Sequence, residues 1–350
     1  MTSISSAKRA SVGAIALNDA LTPLPHGGDL AAARLLFPGA PEPFIDLSTG
    51  INPHSYPIPR LASDVFTRLP EPIALRRLAP AAARAYDAPS GEHVVAAPGT
   101  QMLLAQVAAL VAPGRAVLLG PTYAEHARAA ALAGHAVSEA RARDALADAD
   151  LAIIVNPNNP DGRIVPRSDL IALAQARSAH RGLMVIDEAF MDVAPSDASL
   201  SADVERGRIV VLRSFGKFFG LAGLRLGFAI AAPAIAARLR AVLGPWAVSG
   251  PAIATGEIAL ADKAWIAAMR TRLAGEAARL DQLLRDRGLT VVGGTSLFRL
   301  ARTPRAAALY DQTGRAGVLV RRFPEHPQWL RLGLPPDEPA WQRLTEVLSK

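Results

Sequence analysis

The sequence predicts an α/β fold, a mostly parallel sheet with helices on both faces, and three observations carry that expectation. Strand-like and helix-like segments alternate from about residue 90 to residue 230. The strand-like segments are unbroken apolar runs, as expected of strands covered on both faces. The turns that follow them gather Gly, Asn, Pro and Asp, and in open α/β sheets the carboxyl ends of strands are where ligands bind.

Taken in order, residues 1–25 read as a loose arm. "HGGDLAAARLLF" opens a short amphipathic helix with Asp29 as its N-cap. "FIDLSTGINPHSYPIP" is a short strand running into a turn, and residues 72–86 form a helix with a basic face. "HVVAAPGT" is a strand and turn, and "QMLLAQVAALV" a helix. "AVLLG" is a strand, and "AEHARAAALAG" a helix closed by Gly134. "LAIIVNPNNPDG" is a strand entering a turn, "SDLIALAQARSAH" a helix, and "LMVIDEAF", "RIVVLRSFG" and "LRLGFAIA" three more strands. Residues 232–245 are helical, and 251–287 read as one long helical segment, straight or kinked. The remainder, including "LTVVGGTSLFRLA" and "WLRLGL", reads as a small α+β domain. The expected division is 1–45 as an N-terminal arm with part of the small domain, 46–245 as the large α/β domain, and 246–350 as the small C-terminal domain.

Composition narrows the function classes. The chain of 350 residues is half hydrophobic and one-fifth charged, as in ordinary globular proteins. It has no cysteine, which removes disulfides and thiol chemistry. The N-terminus lacks the apolar core of a signal peptide, and no apolar run is long enough to span a bilayer, so a cytoplasmic protein without a membrane partner is expected. The net charge of +7 comes from scattered arginines that are not interleaved with aromatics, which argues against nucleic acid. No metal site is expected.

The chemistry centres on "RSFGKFFGLAGLRLGF", residues 213–228. The chain has four lysines, Lys8, Lys217, Lys263 and Lys350, and Lys217 lies in this apolar, glycine-lined stretch. A desolvated lysine loses part of its preference for the charged form and becomes a nucleophile toward carbonyls, which arginine cannot be. The alternative is a surface lysine on a glycine-rich loop. Ser214 and Arg225 flank it, and a hydroxyl with a guanidinium suits a phosphate, although Arg225 alone reads more often as an ordinary surface arginine. "PGTQ", residues 98–101, places a helix start nearby, with free N–H groups for an anion. Asp187 in "VIDEAF" ends a buried strand, where a carboxylate needs a partner: a protonated ring nitrogen, a helix cap or a salt bridge. Asn159 sits in the turn "NPNNP", with an amide able to donate to a ring oxygen. Tyr123 follows "LLGPT" and can lie flat on an aromatic ring. Those are the parts that hold pyridoxal 5′-phosphate.

The ordered set "PGTQ … PTYAEH … NPNNPDG … DEAF … RSFGKFFGLAGLRLGF … WLRLGL" resembles the fold-type I, aspartate-aminotransferase-like pyridoxal-phosphate enzymes from about residue 25 onward. The resemblance implies Lys217 as the Schiff-base lysine, Asp187 on the ring nitrogen, Asn159 on the ring oxygen and Tyr123 stacked on the ring. It implies Ser214, Arg225 and the main chain at Thr100 and Gln101 on the cofactor phosphate, and Arg331 on the substrate α-carboxylate. It also implies a homodimer, and Leu69 stands where relatives carry a tyrosine that reaches the neighbouring subunit's cofactor.

Within the family, "PHGGD", "TGINPHSYP" and "GPWAVSG" resemble the branch that decarboxylates L-threonine O-3-phosphate to (R)-1-aminopropan-2-yl phosphate in cobalamin biosynthesis. The substrate is then a small phosphorylated amino acid. His26, Gly27, Asn52 and Arg321 are the expected contacts besides Arg331, with an exposed turn residue as the alternative reading of His26. Arg321 and Arg322 are adjacent on a strand, so one of them faces inward. Transamination of a phosphorylated substrate such as histidinol phosphate is the second reading, and a non-catalytic partner protein with the same fold the third.

Overall fold

The computed structural model describes residues 20–21, 24, 26–177 and 182–349. The reading of residues 1–25 as a loose arm falls outside the described residues, save at Ala20, Leu21 and Leu24.

Thirteen strands are described. They are β1 (Ile45–Asp46), β2 (Val94–Ala97), β3 (Arg115–Leu119), β4 (Ala136–Ala140), β5 (Leu151–Val155), β6 (Leu183–Asp187) and β7 (Ile209–Ser214), followed by β8 (Gly227–Ala231), β9 (Thr290–Thr295), β10 (Phe298–Arg302), β11 (Val318–Leu319), β12 (Arg321–Arg322) and β13 (Trp329–Gly333). Seven of them make one sheet in the order β2-β8-β7-β6-β5-β3-β4. The pairs β4–β3, β3–β5, β5–β6 and β6–β7 are parallel, and β8 runs antiparallel to both β7 and β2. The expected mostly parallel α/β sheet is therefore present. β9, β10, β12 and β13 form a second, antiparallel sheet in the order β12-β13-β10-β9. β1 pairs in parallel with β11, so a segment before the large sheet is tied to the C-terminal part of the chain.

The apolar runs do what two-sided burial requires. Along β5, β6 and β7 every residue is buried, and alternate side chains enter different cores. Ile154, Ile186 and Val211 join one apolar cluster, and Leu151, Ile153, Val185 and Leu212 join the other. Residues 136–140 carry no such run, since β4 is an edge strand in which only Val137 is buried, and the sequence reading assigns no strand there. The long helical segment expected over 251–287, straight or kinked, is two helices, Gly250–Ala261 and Lys263–Asp286. Asp262 divides them: its backbone leaves the helical region at φ −82°, ψ 77°, and its side chain accepts from Trp265 N at 2.9 Å, capping the second helix. Asp29 caps the helix Leu30–Leu36 as expected, accepting from Ala32 N at 2.9 Å.

Candidate active site

Asp187 ends β6 and Ser214 ends β7. Leu212 lies opposite Asp187 in register and two residues before Ser214, so both polar side chains point to the same face of the sheet. On that face lies the helix Glu125–Leu132, which carries His126. Asp187 Oδ2 and His126 Nε2 are 2.7 Å apart, both side chains being buried, and Asp187 Oδ1 accepts from Ala189 N at 3.0 Å. The carboxylate is thereby fixed in direction, with both oxygens engaged. Within "PTYAEH" nothing in the sequence singles out His126; its only signal is its place three residues after Tyr123 at a helix start.

Tyr123 stands over this pair, its ring edge-on to His126 at 6.1 Å between centroids. Its hydroxyl donates to Gln101 Oε1 at 3.1 Å. Burial, with Glu125 and Asp187 nearby, pushes the phenol up to about 12, so it stays protonated at neutral pH.

Lys217 lies in the one-turn helix Phe215–Phe218 that follows β7. Its Nζ donates to the Thr49 carbonyl at 3.2 Å and lies 5.7 Å from the centre of the Phe190 ring. Burial first, and the neighbouring Arg331 charge second, lower its pKa to about 8, against the opposing pull of Asp187 and Asp46. Close to neutral pH most of the amine still carries its proton, but the uncharged share is far larger than for a free lysine.

The expected phosphate residues come together through two glycines. Gly99 has φ +83°, and a Cβ built there would lie 2.4 Å from Arg225 Nη2. A Cβ on Gly227, which pairs with Ser214, would lie 2.5 Å from Thr100 N. With no Cβ at either place, the start of the helix Thr100–Ala108, the Ser214 hydroxyl and the Arg225 guanidinium line one cradle. Arg225 itself adopts φ 52°, a left-handed conformation that costs about 1 kcal/mol and is found preferentially at functional sites. The Gln101 side chain is engaged at both ends, donating to Glu125 Oε2 at 2.6 Å and accepting from the Tyr123 hydroxyl.

Arg331 of β13 reaches the same centre from the small sheet. Its Nη1 donates to Asn159 Oδ1 at 2.5 Å and its Nη2 to the Ser48 carbonyl at 2.6 Å, while its buried Nε has no partner among the described residues. Burial, with the nearby Arg321 charge, lowers its pKa to about 10. Arg321 and Arg331 are direct cross-strand partners on β12 and β13, so their side chains share a face of the sheet. Arg321 is half-buried and close enough to feel Tyr123, whereas Arg322 is exposed and lies over the Tyr310 ring at 4.7 Å. Two cations forced side by side make a site for anions.

His26, Gly27 and Asn52 take different places. His26 is exposed, with Nε2 3.2 Å from Glu125 Oε1. A Cβ on Gly27 would lie 2.5 Å from the Ser48 oxygen that accepts from Arg331, so the glycine lets this segment lie directly on the Arg331 support. Asn52 is buried with both polar ends committed to backbone: Nδ2 donates to the Phe218 carbonyl at 2.7 Å, and Oδ1 accepts from His54 N at 2.8 Å. It braces the turn beside Lys217, whose carbonyl accepts from Asn52 N at 3.0 Å. Leu69 is exposed. Among the described residues no group of three or more His, Asp or Glu side chains gathers to hold a metal, and no helix is long and apolar enough to cross a membrane.

The residues fit pyridoxal phosphate on the structure's own evidence. A cradle that Cβ atoms at Gly99 and Gly227 would fill lies beside a lysine with a depressed pKa, an oriented carboxylate and an aromatic ring. The family model described as aminotransferase class I and II matches residues 60–348. A threonine-phosphate decarboxylase from Sinorhizobium sp is 41% identical over 332 residues, covering 94% of this chain and 98% of the relative. One from Pseudomonas aeruginosa is 42% identical over 328 residues, covering 93% and 97%. The crystal structure of histidinol-phosphate aminotransferase from Sinorhizobium meliloti in complex with pyridoxal-5'-phosphate superposes with a TM-score of 0.77 at 22% identity, covering 93% of this chain and 95% of that one.

Proposed function

The chain belongs to the aminotransferase class I and II family, and from that premise we propose that it decarboxylates L-threonine O-3-phosphate to (R)-1-aminopropan-2-yl phosphate and carbon dioxide, with pyridoxal 5′-phosphate as cofactor. The observation that carries the reading is the Arg321–Arg331 cross-strand pair beside Lys217, which suits a substrate with two anionic groups. We place the reaction in cobalamin biosynthesis.

When bound, the cofactor supplies an electron sink for the pair released at the substrate Cα. Lys217 is the amine that would hold it, Asp187 the partner of its ring nitrogen, Asn159 of its ring oxygen, and Tyr123 the ring that covers it. Ser214, Arg225 and the N–H groups at Thr100 and Gln101 would take its phosphate. Arg331 binds the substrate carboxylate with the donor capacity that Ser48 and Asn159 leave over. Arg321 and His26 take the substrate phosphate at the other end. Anchoring both ends fixes rotation about the bond from Cα to the amine, and so selects which bond at Cα breaks. Phe190 and Phe298, in edge contact at 4.9 Å, wall off water on the Lys217 side. Lys217 Nζ is placed to return a proton to Cα as carbon dioxide leaves.

We also propose a homodimer. Ile58, Phe66, Leu69 and Ile73 are 75%, 66%, 65% and 44% exposed within one short stretch, apolar side chains that a partner chain would cover. Leu69 lies on that surface, so the partner would meet the site without a tyrosine hydroxyl there.

Purified protein with pyridoxal phosphate should release one carbon dioxide per amino-alcohol phosphate formed, the product identified by mass. Amino transfer from histidinol phosphate to a 2-oxo acid, with no carbon dioxide from threonine phosphate, would replace decarboxylation by transamination.

A further inference from the structure

Glu125 is a buried carboxylate that the reaction described above does not use. It opens the helix Glu125–Leu132 two residues after Tyr123 and is 3% exposed. Its two oxygens serve different sides of the site. Oε1 lies 3.2 Å from His26 Nε2. Oε2 accepts from Gln101 Nε2 at 2.6 Å and from Arg128 Nη1 at 3.4 Å. Arg128 extends the grip toward the N-terminus, its Nε donating to the Ala20 carbonyl at 2.8 Å, and Ala20 is itself buried. One helix end therefore holds the N-terminal segment at two points six residues apart.

His26 needs such a hold. It is exposed and is followed by Gly27 and Gly28, which offer no side chains to fix its direction. An exposed side chain followed by two glycines has several rotamers open to it, and ordering it opposes substrate binding. A bond from Nε2 to a buried, immobile carboxylate sets the ring's orientation before substrate arrives.

We propose that Glu125 is a positioning residue for substrate selection, holding the His26 imidazole so that the N-terminal segment recognises the phosphate of the substrate. The proposal rests on the assignment of His26 to the substrate phosphate.

The test compares holoenzyme carrying Glu125→Gln, His26→Ala, or both, using L-threonine O-3-phosphate as substrate and inorganic phosphate as competing ligand. In Glu125→Gln the amide oxygen still accepts from Gln101, and the NH2 facing His26 cannot accept. Each single variant should raise KM about tenfold with kcat changed less than about twofold, as for loss of a charge-assisted hydrogen bond. The inhibition constant of phosphate should rise in parallel. The double variant should be no worse than either single one, because the carboxylate acts through the imidazole. Additive losses, or an unchanged KM in Glu125→Gln while His26→Ala raises it, would overturn the proposal and leave the role of His26 standing. An unchanged KM in His26→Ala would overturn both. Should Glu125→Gln fail to fold, Glu125→Asp, which keeps the charge but withdraws the oxygens, takes its place with the same expectations.

Discussion

Lys217 is held in a form that costs stability, and the cost can be measured. Its pKa falls from 10.5 to about 8 in the folded chain. Between those values the unfolded chain binds a proton that the folded chain has released, so the folded state gains stability as pH rises through this window. The penalty is full below about pH 8 and gone above about pH 10.5. At 1.36 kcal/mol for each pH unit the gap amounts to about 3 kcal/mol at pH 7. Replacing Lys217 with Met removes the buried charge and keeps much of the apolar stem. It also leaves the Thr49 carbonyl without its donor, at a cost of about 1 kcal/mol. Cofactor-free Lys217→Met should therefore be more stable than the parent by about 2 kcal/mol at pH 7, although inactive. The assay is urea unfolding of both proteins after dialysis against hydroxylamine, at a series of pH values. The gain should shrink as pH rises from 8 to 10.5. A variant less stable than the parent at pH 7, or a difference independent of pH, would refute the desolvation of this amine.

Gly99→Ala should weaken pyridoxal phosphate binding by at least about tenfold, since the new Cβ lies 2.4 Å from Arg225 Nη2 at a φ of +83°. A titration followed by the cofactor's visible absorbance reads it, and unchanged affinity would remove Arg225 from the cradle. Arg213→Met should cost about 3–5 kcal/mol of unfolding free energy, because Glu188 and Asp192 would be left buried without their cation. Arg213 donates to them at 3.1 and 3.0 Å and stacks on Tyr86 at 4.3 Å, on the face of the sheet opposite Asp187. A loss below about 1 kcal/mol in denaturant would show the network to be self-sufficient without the arginine.

Most of the large sheet is legible in the sequence, which also brings forward the residues proposed to surround the cofactor. Unbroken apolar runs such as "LAIIV" and "LMVI" declare strands buried on two faces, because each side chain must find a core whichever way it points. Lys217 was legible because a lysine among phenylalanines and glycines contradicts its surroundings. β4 was not legible, since a half-exposed edge strand needs no apolar run. The break at Asp262 was hidden because an aspartate inside helical periodicity declares a cap only once the backbone turns.

Tertiary structure alone decided who meets whom. Asp187 and His126 are 61 residues apart, Arg331 and Asn159 are 172 apart, and His26 and Glu125 are 99 apart. A pattern read along the chain reports which face a side chain takes, not which distant side chain waits there. The cross-strand pairing of Arg321 with Arg331 depends on the register of two strands joined by a turn, and a slip of one residue would have sent Arg322 inward instead. Glu125 passed unnoticed for the same reason: a glutamate at a helix start is ordinary in sequence, and only its burial between the N-terminal segment and Gln101 gives it a task.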